Sequence, residues 1–194
     1  MKIDVLGTGW LTPTEYGAER LGLSVEYASR TTLRGLGKED GLFTYPVKNF
    51  GRFEPMSQRA CYVTALALRD AGLEYSKDLK QGIGLLGTDP YGCEQANLDY
   101  FRDYVESGRT LARANLFIYT LPSSPLAEAA VHFGLQGPLT YLRSEQPTAE
   151  SLIVHAKRMI AEGQAKYMML YELTGKRDCC HVVGPMDNTS KGES

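Results

Sequence analysis

The segment GPLTYLRSEQPTAESLIVHAKRMIAEGQAKYMMLYE, residues 137 to 172, decides the fold. It opens with a short β-forming run at 139–142 and continues as a helical pattern at 148–162, which ends at Gly163. A second β-forming run follows at 166–173. A strand, a helix and a strand in this order predict two parallel strands joined by a right-handed crossover.

The same alternation extends toward the N-terminus. Further elements are predicted as strands at 2–10, 82–88 and 179–183 and as helices at 56–73, 92–107 and 122–134. The order βαβαβαββ predicts an α/β fold with a mostly parallel five-stranded sheet and helices on both faces. We expect one domain over residues 1–184, with an irregular excursion at 14–54 and a polar tail at 185–194.

Composition narrows the range of partners and cofactors. The 194 residues carry a net charge of −2, which offers no general attraction for nucleic acid or an anionic membrane. The opening MKIDVLGTGW lacks the apolar run of a signal peptide, and no apolar run approaches the roughly 20 residues of a membrane span. The four cysteines show no CxxC spacing, which favours a reduced cytoplasmic protein without a metal site. Neither Gly7-Thr8-Gly9 nor GIGLLG opens a helix with an acidic residue about 20 positions further on, as a nucleotide-binding G-x-G-x-x-G motif does, so we expect no nucleotide cofactor.

Several motifs resemble, in order, the N-terminal half of the β-ketoacyl synthase family. They are VLGTGWLTP at 5–13, SQRACYVTALALRDAGL at 57–73, GIGLLGT at 82–88, the Pro-rich helix start at 121–125, FGLQGP at 133–138 and the helix-Gly-strand unit at 148–172. The resemblance implies a thiolase-like fold made of a single βαβαβαββ repeat.

Alignment without gaps places Gln146 where the family has its nucleophilic cysteine. Because a glutamine cannot be acylated, the resemblance implies that this chain does not condense acyl groups on its own. A glutamine also occupies this position in chain-length-factor subunits and in decarboxylating loading ketosynthases, so the resemblance implies that the Gln146 amide fills or polarises an acyl site. The alternative is that Gln146 only occupies the turn before Pro147, at the first position of the helix.

The family's catalytic histidines belong to its second half, which this chain does not match. His132, His155 and His181 lie in segments that match the first half, so the resemblance assigns none of them to catalysis. Its candidates for an acyl pocket or an interface are Ser144, Gln146, Thr148, Leu152, His155 and Met159.

Two of the reactive side chains have alternative interpretations. His155 lies beside the apolar stripe of its helix, where it is either a hydrogen-bonded structural histidine or a catalytic base. Cys93 follows a predicted strand and precedes a helix, the place where open α/β sheets bind ligands. It is either a passive thiol or a nucleophile.

The resemblance implies a non-condensing accessory protein of fatty-acid or polyketide-type biosynthesis. Its implied partners are an acyl carrier protein, a catalytic ketosynthase subunit, or both. The alternative is a ketosynthase-related acyltransferase completed by a partner chain. We also expect a homo- or hetero-oligomer, because a lone first half would leave an apolar helix stripe facing solvent. The stripe consists of Leu152, Ile153, Ala156, Met159 and Ile160.

Overall fold

The computed structural model describes residues 2–27, 41–89, 91–110, 113–143 and 148–186. They form one sheet with helices packed on both of its faces. The strands are β1 (Ile3–Leu11), β2 (Glu15–Ala18), β3 (Leu23–Glu26), β4 (Ile83–Asp89), β5 (Leu139–Arg143), β6 (Tyr167–Glu172) and β7 (Asp178–Pro185). The α-helices are α1 (Pro55–Asp70), α2 (Glu94–Glu106), α3 (Ala114–Ile118), α4 (Ser124–Phe133) and α5 (Ala149–Ala161).

The sheet has seven strands in the order β3-β2-β1-β7-β6-β4-β5. Only β4 runs parallel to its neighbours β5 and β6, and the other four pairs are antiparallel. The prediction of a mostly parallel five-stranded sheet is therefore wrong. The connection 173–177 between β6 and β7 is too short for a crossover, so those two strands must be antiparallel.

The two additional strands lie in the segment 14–54, which was predicted to be irregular. β2 and β3 form a hairpin in which Tyr16 faces Val25, and this hairpin extends the sheet beyond β1. Each strand has four residues, which is too few to display a period of two in the sequence. Part of the segment 14–54 therefore forms one edge of the sheet.

Helix α1 packs very closely on β1 because both elements present small residues at the contact. An ideal Cβ placed on Gly9 would lie 2.5 Å from the Ala67 nitrogen and 2.6 Å from the Val63 carbonyl oxygen. Asp70, the last residue of α1, accepts hydrogen bonds from the backbone N–H groups of Thr8, Arg20 and Leu21 at 2.7, 3.1 and 2.9 Å. The helix end is thereby tied to β1 and to the β2–β3 hairpin.

Helix α5 covers the opposite face of the sheet. Leu152, Ala156 and Ile160 are buried in a cluster with sheet residues, and Ile153 and Met159 are half-buried against it. The expectation that this stripe faces solvent is wrong, because β4, β6 and β7 of the same chain bury it. The sheet side of this cluster consists of Leu86, Met168, Leu170 and Val183.

Candidate functional site

The carboxyl ends of β4, β5 and β6 meet at one edge of the sheet because these three strands are parallel. Open α/β sheets bind ligands at this edge. Ser144 and Gln146 belong to the segment 144–147, which joins β5 to α5 and lies outside the described residues. Their assignment to the site stays a prediction.

The start of α5 uses its own side chains to satisfy its first N–H groups. Thr148 is the N-cap, and its hydroxyl accepts a hydrogen bond from the Ser151 N–H at 3.4 Å. The Glu150 carboxylate is bonded to its own N–H and to the Thr148 hydroxyl, and these bonds lower its pKa. A negative charge thus already stands at the positive end of the helix dipole. This arrangement leaves less capacity to stabilise a thiolate or an oxyanion there.

The other predicted site residues of α5 do not converge on one pocket. Leu152 is buried in the sheet-facing core, so it is a packing residue. His155 is exposed, and together with the half-buried Met159 it lines a shallow groove between α5 and β5. The groove also contains Thr140 and Leu142 of β5.

A cleft at the carboxyl ends of β4 and β5 was only partly predicted. Cys93 lines it as the N-cap of α2, with its Sγ 2.7 Å from the Thr120 carbonyl oxygen, to which it donates. The Asn97 amide donates to the same sulfur at 3.1 Å. The walls of the cleft are mostly apolar or aromatic, with Arg143 at one end: Tyr91, Leu98, Phe101, Pro122, Tyr141 and Arg143.

The inner wall of this cleft carries two titratable groups in a partly dehydrated setting. Burial raises the pKa of Glu54, although its carboxylate caps α1 by accepting from the Ser57 N–H at 2.9 Å. Burial also raises the pKa of Tyr119, and the nearby Glu128 carboxylate raises it further. A neutral Tyr119 hydroxyl is a hydrogen-bond donor for a ligand in the cleft.

The histidines lie apart from this cleft. His181 is half-buried and shares a hydrogen bond of 3.0 Å between its Nδ1 and the Thr8 Oγ1. Burial lowers the pKa of His132 to about 4, and its Nε2 is buried without a hydrogen-bond partner. Neither histidine is among the residues that line the cleft.

The remaining thiols are poor nucleophiles. All four cysteines carry free thiols, and burial raises the pKa of Cys61, Cys179 and Cys180. Among the described residues, no group of three or more His, Cys, Asp or Glu side chains is arranged to hold a metal ion. None of the described helices combines the length and the apolar character that crossing a membrane requires.

Sequence reasoning missed the exposed apolar surface beside the cleft. Leu98, Phe101 and Val105 of α2 recur at helical spacing, which predicts the helix and an inward-facing stripe. The stripe is instead exposed, and α3 adds Phe117 and Ile118 next to it. Spacing predicts that a helix is amphipathic but cannot show whether its apolar face is covered.

Comparison with solved structures identifies the fold. The chain is similar to a β-ketoacyl synthase from Burkholderia phymatum STM815, with a TM-score of 0.62, 14% sequence identity and coverage of 96% of this chain and 59% of that chain. It is similar to the ishigamide ketosynthase/chain length factor, with a TM-score of 0.63, 12% identity and coverage of 98% and 64%. It is also similar to the ketosynthase ApeO in complex with its chain length factor ApeC from Xenorhabdus doucetiae, with a TM-score of 0.63, 10% identity and coverage of 97% and 81%.

This chain spans less than two thirds of the length of the first two of these chains. No protein-family model matches the sequence, and no curated protein is a significant match. At these identities the likeness concerns the fold. The chain has the thiolase-like fold of the β-ketoacyl synthases and chain length factors.

Proposed function

We propose that this chain is a ketosynthase-like accessory subunit of fatty-acid or polyketide-type biosynthesis, comparable with a chain length factor, and that it does not condense acyl groups by itself. Two of the similar structures are ketosynthases paired with chain length factors. We place the protein in the cytoplasm, where such a pathway would act.

The start of α5 carries this proposal. By sequence alignment the nucleophile position holds Gln146, which cannot form a thioester. The Thr148 hydroxyl accepts from the Ser151 N–H, and the Glu150 carboxylate adds a negative charge near the helix start, which disfavours an oxyanion there. A condensing ketosynthase would need a nucleophile at position 146 and a helix start that stabilises an oxyanion.

The accessory role consists of binding an acyl carrier protein, a catalytic ketosynthase subunit, or both. Leu98, Phe101 and Tyr141 give the cleft an apolar lining that suits an acyl chain. Arg143, at the end of β5, offers a cation to an anionic group of a carrier.

A second function is an acyltransferase related to the ketosynthases, with its missing catalytic groups supplied by another chain. The observation in its favour is that two of the similar structures combine a ketosynthase with a chain length factor. It predicts turnover of an acylated carrier protein only when the partner chain is present.

Affinity capture of the tagged protein from the cytosolic fraction of its own cells tests both functions. Proteins that co-purify, and their acyl loads, are identified by mass spectrometry. Recovery of a complete cysteine-containing ketosynthase or of a carrier protein supports the accessory role. Recovery of a histidine-bearing chain that confers turnover supports the enzyme, and recovery of neither class counts against both functions.

A further inference from the structure

The cleft beside Cys93 has two parts that differ in size and in chemistry. The outer part has a volume of about 730 Å³, and Leu98 and Phe101 contribute to its mainly apolar walls. An inner chamber of about 80 Å³ adjoins it. The residues that line both parts, and therefore connect them, are Gly92, Cys93, Pro122 and Tyr141.

Two half-buried groups of the inner chamber are able to hydrogen-bond a ligand. The backbone N–H of Glu54 hydrogen-bonds the Tyr119 hydroxyl oxygen, which leaves the hydroxyl proton to be donated elsewhere. The Glu54 carboxyl accepts from the Ser57 N–H at 2.9 Å and lies 3.4 Å from the Ser57 hydroxyl. Because a carboxylate has about four lone-pair sites, it retains the capacity to accept from a ligand. The chamber thus offers one donor and one acceptor.

The remaining walls of the inner chamber offer a ligand little else to bond. The Gln95 amide donates to the Asp99 carboxylate at 3.0 Å, and the Cys93 thiol donates to the Thr120 carbonyl oxygen. A polar ligand atom in this chamber therefore depends on Glu54 and Tyr119. The apolar side chains of the chamber include Met56, Pro125 and Leu173.

We propose that the cleft binds an aliphatic acyl chain whose far end carries a hydroxyl group, and that this hydroxyl lies in the inner chamber between Glu54 and Tyr119. A hydroxyl donates one hydrogen bond and accepts another, so it matches both groups. The chamber is much smaller than the outer part, so it admits the end of a chain and not its whole length. The inference rests on the proposed function in taking the outer part as the site of the acyl chain.

Other chain ends fit the inner chamber less well. A methyl end would displace water from Glu54 and Tyr119 without replacing its hydrogen bonds, and this costs binding free energy. A carboxylate end accepts hydrogen bonds but donates none, so it cannot bond the Glu54 carboxylate. Burial already raises the pKa of Glu54, which shows that a negative charge is costly in this chamber. A second carboxylate would add like-charge repulsion.

Isothermal titration calorimetry of the purified protein tests this proposal. The probes are decanoic acid, ω-hydroxydecanoic acid and decanedioic acid, together with their octanoic and dodecanoic homologues, so that several chain lengths are sampled. Each probe carries a carboxylate that Arg143 can bind in the outer part of the cleft. We expect the ω-hydroxy acid to bind at least about fivefold more tightly than the methyl-ended acid of the same length. The diacid should bind more weakly than the ω-hydroxy acid.

Two variants assign the preference to the inner chamber. Tyr119→Phe keeps the ring but removes the donor, so it should abolish most of the preference for the hydroxyl end. Tyr104→Phe is the matched control, because Tyr104 is half-buried on α2 and is not among the residues that line the cleft. Glu54→Gln keeps a side-chain oxygen for the Ser57 N–H. At mildly alkaline pH it should improve binding of the diacid several-fold and leave that of the methyl-ended acid unchanged.

Circular dichroism checks that each variant is folded, and Glu54→Gln alone carries the test if Tyr119→Phe does not fold. The proposal is overturned if the methyl-ended acid binds as tightly as the ω-hydroxy acid, if no probe binds, or if Tyr104→Phe loses the preference as Tyr119→Phe does. Any of these results leaves the accessory function intact, since that function is judged by capture of a ketosynthase or a carrier protein. A preference for the hydroxyl end without capture of either protein would support this inference and contradict that function.

Discussion

The guanidinium of Arg59 donates a hydrogen bond to the Asp178 carboxylate at 2.7 Å, and the Asp178 side chain is completely buried. Arg59 also donates to the Gly175 carbonyl oxygen at 3.1 Å, and the Gly175 N–H donates to Asp178 at 2.7 Å. This pair joins α1 to the turn between β6 and β7. It therefore fixes the short connection that makes those strands antiparallel.

We expect Arg59→Met to lower the free energy of unfolding by about 3 kcal/mol, because it leaves the Asp178 carboxylate buried without its cation. Urea denaturation measures the loss. Arg158→Met is the matched control, since it removes an ion pair of the same 2.7 Å length that is largely exposed. That control should lose far less stability, because solvent screens an exposed ion pair. Equal losses in the two variants would contradict the role given to the buried pair.

We expect Gly9→Val to destabilise the fold by up to about 3 kcal/mol or to prevent folding, because its side chain would overlap the backbone of α1. The nearest atoms to an added Cβ are 2.5 to 2.6 Å away. Gly82→Ala is the control, since no heavy atom lies within 4 Å of its ideal Cβ. Thermal unfolding measures both variants. A tolerated Gly9→Val would show that α1 does not pack on β1 this closely.

We expect His132 to make stability fall on acidification. Burial depresses its pKa from 6.5 to about 4, so between these values the unfolded chain binds more protons than the folded one. The stabilising contribution is present above pH 6.5 and is lost as the pH falls toward about 4. His132→Phe should make the free energy of unfolding depend less on pH between about 4 and 6.5. Urea denaturation at several pH values in this range measures the effect.

His155→Phe is the control for this experiment because His155 is exposed on α5. His155→Phe should show the same loss of stability on acidification as the unmodified protein. The ring centroid of His132 lies 4.4 Å from that of Tyr45 and 4.6 Å from that of Phe133. A phenylalanine ring at position 132 should keep these aromatic contacts, so the substitution removes mainly the titratable group. A profile that His132→Phe does not change would assign the acid sensitivity to other groups.

We expect Gln146→Ala to change the product distribution or the affinity of a reconstituted complex several-fold without altering the thermal unfolding of the chain. The physical reason is that the amide would no longer fill or polarise the acyl site. Gln136→Ala, at an exposed position before β5, should change neither property. If both variants leave product and affinity unchanged, Gln146 only occupies the turn before Pro147.

The local elements were largely predictable from the sequence. The strand at 139–142, the helix at 148–162 and the strand at 166–173 correspond to β5, α5 and β6 within a few residues. Apolar periodicity and the helix-ending Gly163 are local signals, and helices and strands of this length follow them. The thiolase-like fold was also predicted, and the similar solved structures confirm it.

The candidate site was less predictable. Cys93 was placed correctly at the end of a strand and the start of a helix, because the Asp-Pro and Gly signals around it are local. Its neighbours Glu54, Tyr119 and Tyr141 come from distant parts of the chain, and no periodicity relates them. The engagement of the α5 N–H groups by Glu150 likewise depends on side-chain rotamers, which the sequence does not specify.

The sequence by itself determined where α5 begins and ends and which of its residues are apolar, because these properties depend on neighbours within one or two helical turns. Only the tertiary structure decided that Leu152 and Ile160 are buried in this chain while Leu98 and Phe101 are exposed. Both helices have an apolar stripe, and burial requires a facing surface. The sheet offers such a surface to α5, whereas no residue of α2 is buried within the described part of the chain.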